Sequence, residues 1–201
     1  MNTELLIKKL FYSLPADIIL EIESSSDLSS KLNIVREWVQ YNSKITHEER
    51  LKWHQPLLTI AKKESLNKNE AKSLTNIAKI YDRLGDFDKS LDSTKRVKSI
   101  WKELSQKDEK YFYNLIIAYC DHAVTLRLQN SMDLALSCLH EGYEIFKNKC
   151  LDNKEVLIIL FSDLGIIYRE ISDYPAALSL FSESLKLIED AKNPEKYLQN
   201  K

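Results

Sequence analysis

One spacing near the C-terminal end limits this chain more than any other feature. Phe161, Leu164, Gly165 and Tyr168 fall at i, i+3, i+4 and i+7, and Ala177 and Phe181 follow four residues apart. The first four lie on one face of a helix. Gly165 removes the side chain where a second helix has to approach closely. Ala177 and Ser184 are the matching small residues on that second helix, with Phe181 between them. Ser172-Asp173-Tyr174-Pro175 reads as the turn, with Pro175 at the start of the second helix.

The same frame recurs upstream. Leu74, Ile77, Ala78 and Tyr81 repeat the first-helix face, Leu84-Gly85-Asp86-Phe87 supplies the turn, and Ser90, Thr94 and Val97 face back. Gly85 is placed to end a helix in the left-handed conformation. A weaker copy lies between: Tyr119, His122, Ala123 and Leu126, then Ala135, Leu139 and Gly142. The small residues Ala78, Ala123 and Gly165 are spaced by 45 and then 42 positions. Leu32–Tyr41 and His47–Glu64 carry helical periodicity, and Trp38 sits 40 positions before Ala78. A Trp at that place keeps the pair from closing as tightly, as terminal repeats often show. Pro56 is expected to kink or break the second of these helices. Residues 2–13 read as an amphipathic helix ended by Pro15, and 24–30 (SSSDLSS) as a polar link.

Written as large–x2–L–G–x2–Y and A–x3–F, the last unit resembles the tetratricopeptide repeat family, with Phe161 where Trp is usual. It is similar in particular to the longer-period arrays found in front of bacterial histidine kinases and transcription regulators. Those contain stretches similar to Asn76-Ile77-Ala78-Lys79-Ile80-Tyr81 and Gly85-Asp86-Phe87-Asp88-Lys89-Ser90. The resemblance covers about residues 32–190. It implies an all-α solenoid of antiparallel helix pairs wound as a right-handed superhelix. The expected division is an N-terminal helix and link over 1–30, then about four pairs at 31–65 (degenerate), 71–104, 112–148 and 155–190. Residues 192–201 are left as a tail or the start of a capping helix.

Composition agrees with helices. Three Gly and four Pro are too few for the turns of a sandwich or barrel. With 29 basic and 30 acidic residues there is no bulk field to attract nucleic acid, and none is expected as a partner. Lys8, Lys9 and Asp17 interrupt the apolar N-terminus, so neither a secretory segment nor a spanning helix fits, and no membrane is expected. Cys120, Cys138 and Cys150 are odd in number and sit in helical patterns, which favours a reducing cytoplasm over a disulfide framework.

The residues that could carry chemistry do not assemble into a site. Cys120-x-His122 and Cys138-x-His140 look like metal triplets, and four converging ligands would be needed. Residues i and i+2 are about 200° apart on a helix, so one triplet cannot aim both groups at one ion. They read as a packed thiol and imidazole. His47-Glu48-Glu49 lacks a second His at i+4, where Leu51 stands. No Gly-rich phosphate loop exists, and no Ser-His-Asp or Cys-His spacing supports a nucleophile. Tyr111-Phe112-Tyr113 and Tyr168 read as core or helix-start residues rather than base-stacking platforms. No enzyme, metal or cofactor is expected.

What the frame does offer is an inner face lined by the first helices of successive units. It takes Lys72, Thr75, Lys79, Asp82 and Arg83, then Ile117, Cys120, Val124, Arg127 and Leu128, then Ile159, Ser162, Ile166, Arg169 and Glu170. Ile117, Val124, Ile159 and Ile166 are apolar on a face that packing within a unit does not use, so they meet either a neighbouring helix or a ligand. The expected function is protein interaction, as a scaffold or regulatory subunit. A peptide or helix of a partner would be held by these residues and by Lys72, Lys79, Arg83, Arg127 and Arg169. The alternative is a sensory or autoinhibitory domain that controls an effector enzyme or DNA-binding protein. Relatives that clamp a C-terminal carboxylate use Lys and Asn at set positions. Asn76 fits one of these, but Asp121 and Asp163 stand in later units and would repel a carboxylate. Partner identity and oligomeric state stay open.

Overall fold

The computed structural model describes residues 3–149 and 152–192. Cys150 and residues 193–201 of the expected tail lie outside them. The described residues are helical, without strand. The helices are α1 (Thr3–Phe11), α2 (Ala16–Ser24), α3 (Leu28–Tyr41), α4 (His47–Lys63), α5 (Asn67–Leu84), α6 (Phe87–Lys107), α7 (Phe112–Leu128), α8 (Met132–Asn148), α9 (Lys154–Glu170) and α10 (Tyr174–Lys192). A 3₁₀ turn, Glu109–Tyr111, precedes α7. The architecture is an α-solenoid of antiparallel helix pairs.

Local sequence fixes the ends of these helices. Thr46 and Glu49 form a capping box on α4: the Glu49 amide donates to Thr46 Oγ1 at 3.2 Å, and the Thr46 amide donates to Glu49 Oε2 at 2.7 Å. Asp27 caps α3 and Asn153 caps α9 through their side-chain oxygens. Four reversals share one device. Ser65, Gly85, Asn130 and Ser172 take φ of 53°, 77°, 63° and 66°. The amide after each donates back into the helix, from Leu66 to Ala61 at 2.8 Å, Asp86 to Tyr81 at 3.0 Å, Ser131 to Leu126 at 2.8 Å and Asp173 to Tyr168 at 2.8 Å. This closure satisfies a terminal carbonyl and turns the chain for an antiparallel return. Gly85 ends α5 as its position implied.

The chain divides within α6 into two compact units, Met1–Ile100 and Trp101–Lys201. In the first, Leu10, Leu14, Ile22, Leu32, Val35, Val39, Leu57 and Ile60 form a core that joins α1 to α4. Ser90, Thr94 and Val97 of α6 are buried. In the second unit, Leu115, Ile116, Leu139, Leu160, Leu164, Ile167 and Ala177 are buried. Each fully buried Leu or Ile contributes about 1.5–3 kcal/mol.

Three expectations are corrected. Residues 24–30 are not a link: α2 ends at Ser24, α3 begins at Leu28, and only Ser25–Asp27 join them. Pro15 opens α2 rather than merely ending α1, and the acid at Asp17 suits a first turn. Pro56 does not break α4, which runs from His47 to Lys63 with the proline inside. The lost amide leaves only the Lys52 carbonyl without its donor, and Lys52 is on the exposed side. His54, Leu57, Ile60 and Ala61 stay buried around it and hold the helix.

Candidate partner-binding face

In the second unit the first helices of two pairs, α7 and α9, run side by side. Their burial alternates sharply. Ile116, Ala118 and Ala123 of α7 and Leu160, Phe161 and Leu164 of α9 are enclosed. Gly142 on α8 lies against α7, where an added Cβ would sit 3.3 Å from Tyr119 Cβ and 3.7 Å from Ile116 Cγ2. The predicted apolar residues behave differently. Ile117, Val124 and Ile166 are only half-buried, and Ile159 is 39% exposed. These four are the apolar residues that the repeat frame assigns to the inner face.

Charge on this face is partly spent inside the protein. Arg127 Nη1 donates to Glu170 Oε1 at 2.8 Å, which ties α7 to α9. Arg169 reaches the same carboxylate only at 4.0 Å and remains mostly exposed. The two arginines are therefore not equivalent, although the repeat frame places them alike. Cys120 is buried beside Asp163 and Asp121; burial first, then those carboxylates, push its thiol far up. It is a packed neutral thiol rather than a surface contact. Cys138 Sγ donates to the Tyr119 carbonyl at 3.3 Å, while His140 is exposed. Among the described residues no group of His, Cys, Asp and Glu is placed to hold a metal ion.

In the first unit Lys72, Lys79 and Arg83 are exposed on α5. Below them α3 and α5 are joined by a polar network the sequence did not reveal. Ser29 Oγ donates to Asn69 Oδ1 at 2.7 Å, and Asn69 Nδ2 donates to Asn33 Oδ1 at 3.2 Å. Asn33 Oδ1 also accepts from Arg36 Nη1. Arg36 is 8% exposed, and its nearest ion-pair partner is Glu37 at 3.9 Å. Burial lowers the Arg36 guanidinium, and burial followed by Arg36 lowers the Lys72 ammonium. The available signal was an offset: Arg36 precedes Asn76 by the same 40 positions that separate Trp38 from Ala78. Across the α5–α6 pair, Arg96 Nε donates to the buried Glu70 at 3.0 Å.

The sequence-predicted residues line neither of two clefts in the first unit. One, about 310 Å³, lies over α5 between α4 and α6, with Leu51, Leu58, Leu74, Ile77 and Tyr81 as its apolar walls. The other, about 290 Å³, lies between α1 and α4. In the second unit α10 presents Tyr174, Leu178 and Leu185 at 63%, 68% and 56% exposure. No described helix is long and apolar enough to cross a membrane.

Residues 114–190 match the tetratricopeptide repeat family model. No curated protein matches the chain by sequence. Solved structures share its fold. BtubC (BKLC) from P. vanneervenii superposes with a TM-score of 0.66 at 14% identity, over 84% of this chain and 67% of that one. The nearly identical TPR-like repeats of a putative kinesin light chain from Podosopora anserina give 0.60 at 13% identity, over 94% of both chains. A single-residue variant of those repeats gives 0.62 at 14% identity, over 96% of this chain and 94% of that one.

Proposed function

We propose that this tetratricopeptide repeat protein binds a segment of another protein along the face shared by α7 and α9. Repeats of this family generally mediate protein–protein interaction, which sets the class. The observation that supports this particular face is the partial exposure of Ile117, Val124, Ile159 and Ile166, apolar residues that the repeat frame assigns to one side of these two helices. Burying such residues under a partner supplies affinity. The partner segment is an extended peptide or a helix with an apolar edge, laid along the isoleucines, with an acidic group against Arg169. Lys72, Lys79 and Arg83 give α5 a basic face of its own and a second contact for acidic sequence. The repeat units are read as 31–65, 71–104, 112–148 and 155–190. The role is that of a scaffold or regulatory subunit working in the cytoplasm, with no catalytic step of its own.

Photo-crosslinking tests the face directly. A benzophenone amino acid at Ile159 or Ile166 should trap a partner in the native host, and the same group at Glu144 or Lys186 should not. Equal trapping at Glu144 or Lys186 would move the site to another surface.

A further inference from the structure

The cleft between α1 and α4 belongs to neither the α7–α9 face nor the basic face of α5. Leu6, Lys9, Leu10, Ser13, Lys52, Trp53 and Pro56 line its 290 Å³. Its floor is apolar and fixed. Leu10 is 6% exposed, and the Trp53 indole stands edge-on to Trp38, with centroids 5.1 Å apart and planes at 77°. The Ser13 hydroxyl already donates to the Lys9 carbonyl at 2.8 Å.

The charges of the lining have one sign. Lys9 and Lys52 are its charged residues, and no carboxylate lines the cleft. The neighbouring Lys8 is paired with Glu4 at 3.0 Å, whereas Lys9 and Lys52 enter no ion pair among the described residues. An apolar floor under two unneutralised ammonium groups selects for an anionic head on an apolar body. A cation would be repelled, and a neutral chain would leave the rim charges unused.

We propose that this cleft binds a small amphiphilic monoanion, a carboxylate on a single aliphatic or aromatic body. The body lies against Leu6, Leu10, Trp53 and Pro56, and the carboxylate lies between Lys9 and Lys52. The volume is at the lower end for small-molecule sites, which excludes two-chain lipids and dinucleotides. Occupancy would bridge α1 to α4 and so stabilise the N-terminal end of the first unit.

Three probes with the same chain test the assignment: octanoate, 1-octanol and octylammonium, each below its aggregation concentration. Trp53 supplies the signal, and Trp53→Phe identifies its share of the emission change. Octanoate should give a saturable change and raise the melting temperature. It should bind about ten-fold more tightly than octanol, and octylammonium should not compete. Lys9→Gln with Lys52→Gln, both at exposed positions, should bring octanoate down to the octanol level and leave octanol unchanged. Equal affinity for octanol and octanoate, indifference to the double substitution, or no saturation by octanoate would each overturn the proposal.

Discussion

Gly165 on α9 lies directly under the Phe181 ring of α10: an added Cβ would sit 2.7 Å from Cε1 and 2.9 Å from Cδ1 of that ring. No real Cβ is found so close, so any side chain at 165 must displace the ring. Gly165→Ala should therefore destabilise by about 1–3 kcal/mol, outweighing the roughly 1 kcal/mol that alanine gains over glycine within a helix. Phe181→Leu in the Gly165→Ala background should recover part of the loss. Gly142 is the comparison: a Cβ added there would meet Tyr119 Cβ at 3.3 Å, tight but short of the overlap at 165, so Gly142→Ala should cost clearly less than Gly165→Ala. Urea unfolding of these variants measures both. Equal costs at 142 and 165 would mean that close packing is not what selects glycine at 165.

That pair was legible in the sequence because spacing within a unit needs only helical geometry. Gly165, Tyr168, Ala177 and Phe181 sit at fixed offsets across one short turn, and Gly85 declares its own left-handed conformation. Relations between units were less legible. Glu170 meets Arg127 only because α7 and α9 lie in a register set by the connections between them, which no local pattern encodes. The α1–α4 cleft was hidden for the same reason, since α1 packs on a helix remote in sequence. α2 was missed although Pro15, Asp17 and the Ile18, Ile19, Ile22 cluster mark a helix start and face. The serines that follow suggested a linker, where Asp27 instead caps α3.

His54 should make the first unit sensitive to acid. It is fully buried, and both ring nitrogens lack a hydrogen-bond partner. Burial, followed by Arg36 and Arg50, brings its pKa down from 6.5 to about 4. The folded chain thus keeps the ring neutral where the unfolded chain takes up a proton. The contribution to stability is full above pH 6.5 and is lost as pH falls from 6.5 towards 4, by about 3 kcal/mol. Urea unfolding at pH 7.5, 5.5 and 4.5 should show this decline, and His54→Leu should flatten it. His54→Leu should also be at least as stable as the parent at pH 7.5, because it removes an unpaired buried polar group. An unchanged pH slope in that variant would assign the acid sensitivity to other groups.

Pro56 offers a stabilising substitution. α4 continues through it on the strength of its packing alone, so Pro56→Ala restores an amide to the Lys52 carbonyl without altering the buried face. Proline in a helix interior costs about 3 kcal/mol relative to alanine. Greater freedom of the unfolded chain offsets about 1 kcal/mol of that. Thermal unfolding should show a net gain of about 1–2 kcal/mol. A loss would mean that the pyrrolidine ring, which lines the α1–α4 cleft, contributes more by packing than it costs the helix.

Arg127 and Arg169 should separate binding from folding. The Arg127–Glu170 pair is short, at 2.8 Å, and its side chains are 23% and 27% exposed. Shielded to that degree, it should contribute about 1 kcal/mol, near the upper end for surface pairs. Arg127→Glu would set two carboxylates against each other and loosen α7 from α9, and Arg127→Glu with Glu170→Arg should recover most of the loss. Raising the salt concentration should narrow the difference between parent and single variant. Arg169 has only the 4.0 Å approach to Glu170, so Arg169→Glu should change stability by no more than about 0.5 kcal/mol. If the α7–α9 face takes an acidic partner segment, Arg169→Glu should still abolish capture while the melting temperature holds. Lys186→Glu on α10 should keep the partner. Loss of capture with Lys186→Glu and retention with Arg169→Glu would place the interaction on α10, where Tyr174, Leu178 and Leu185 are exposed.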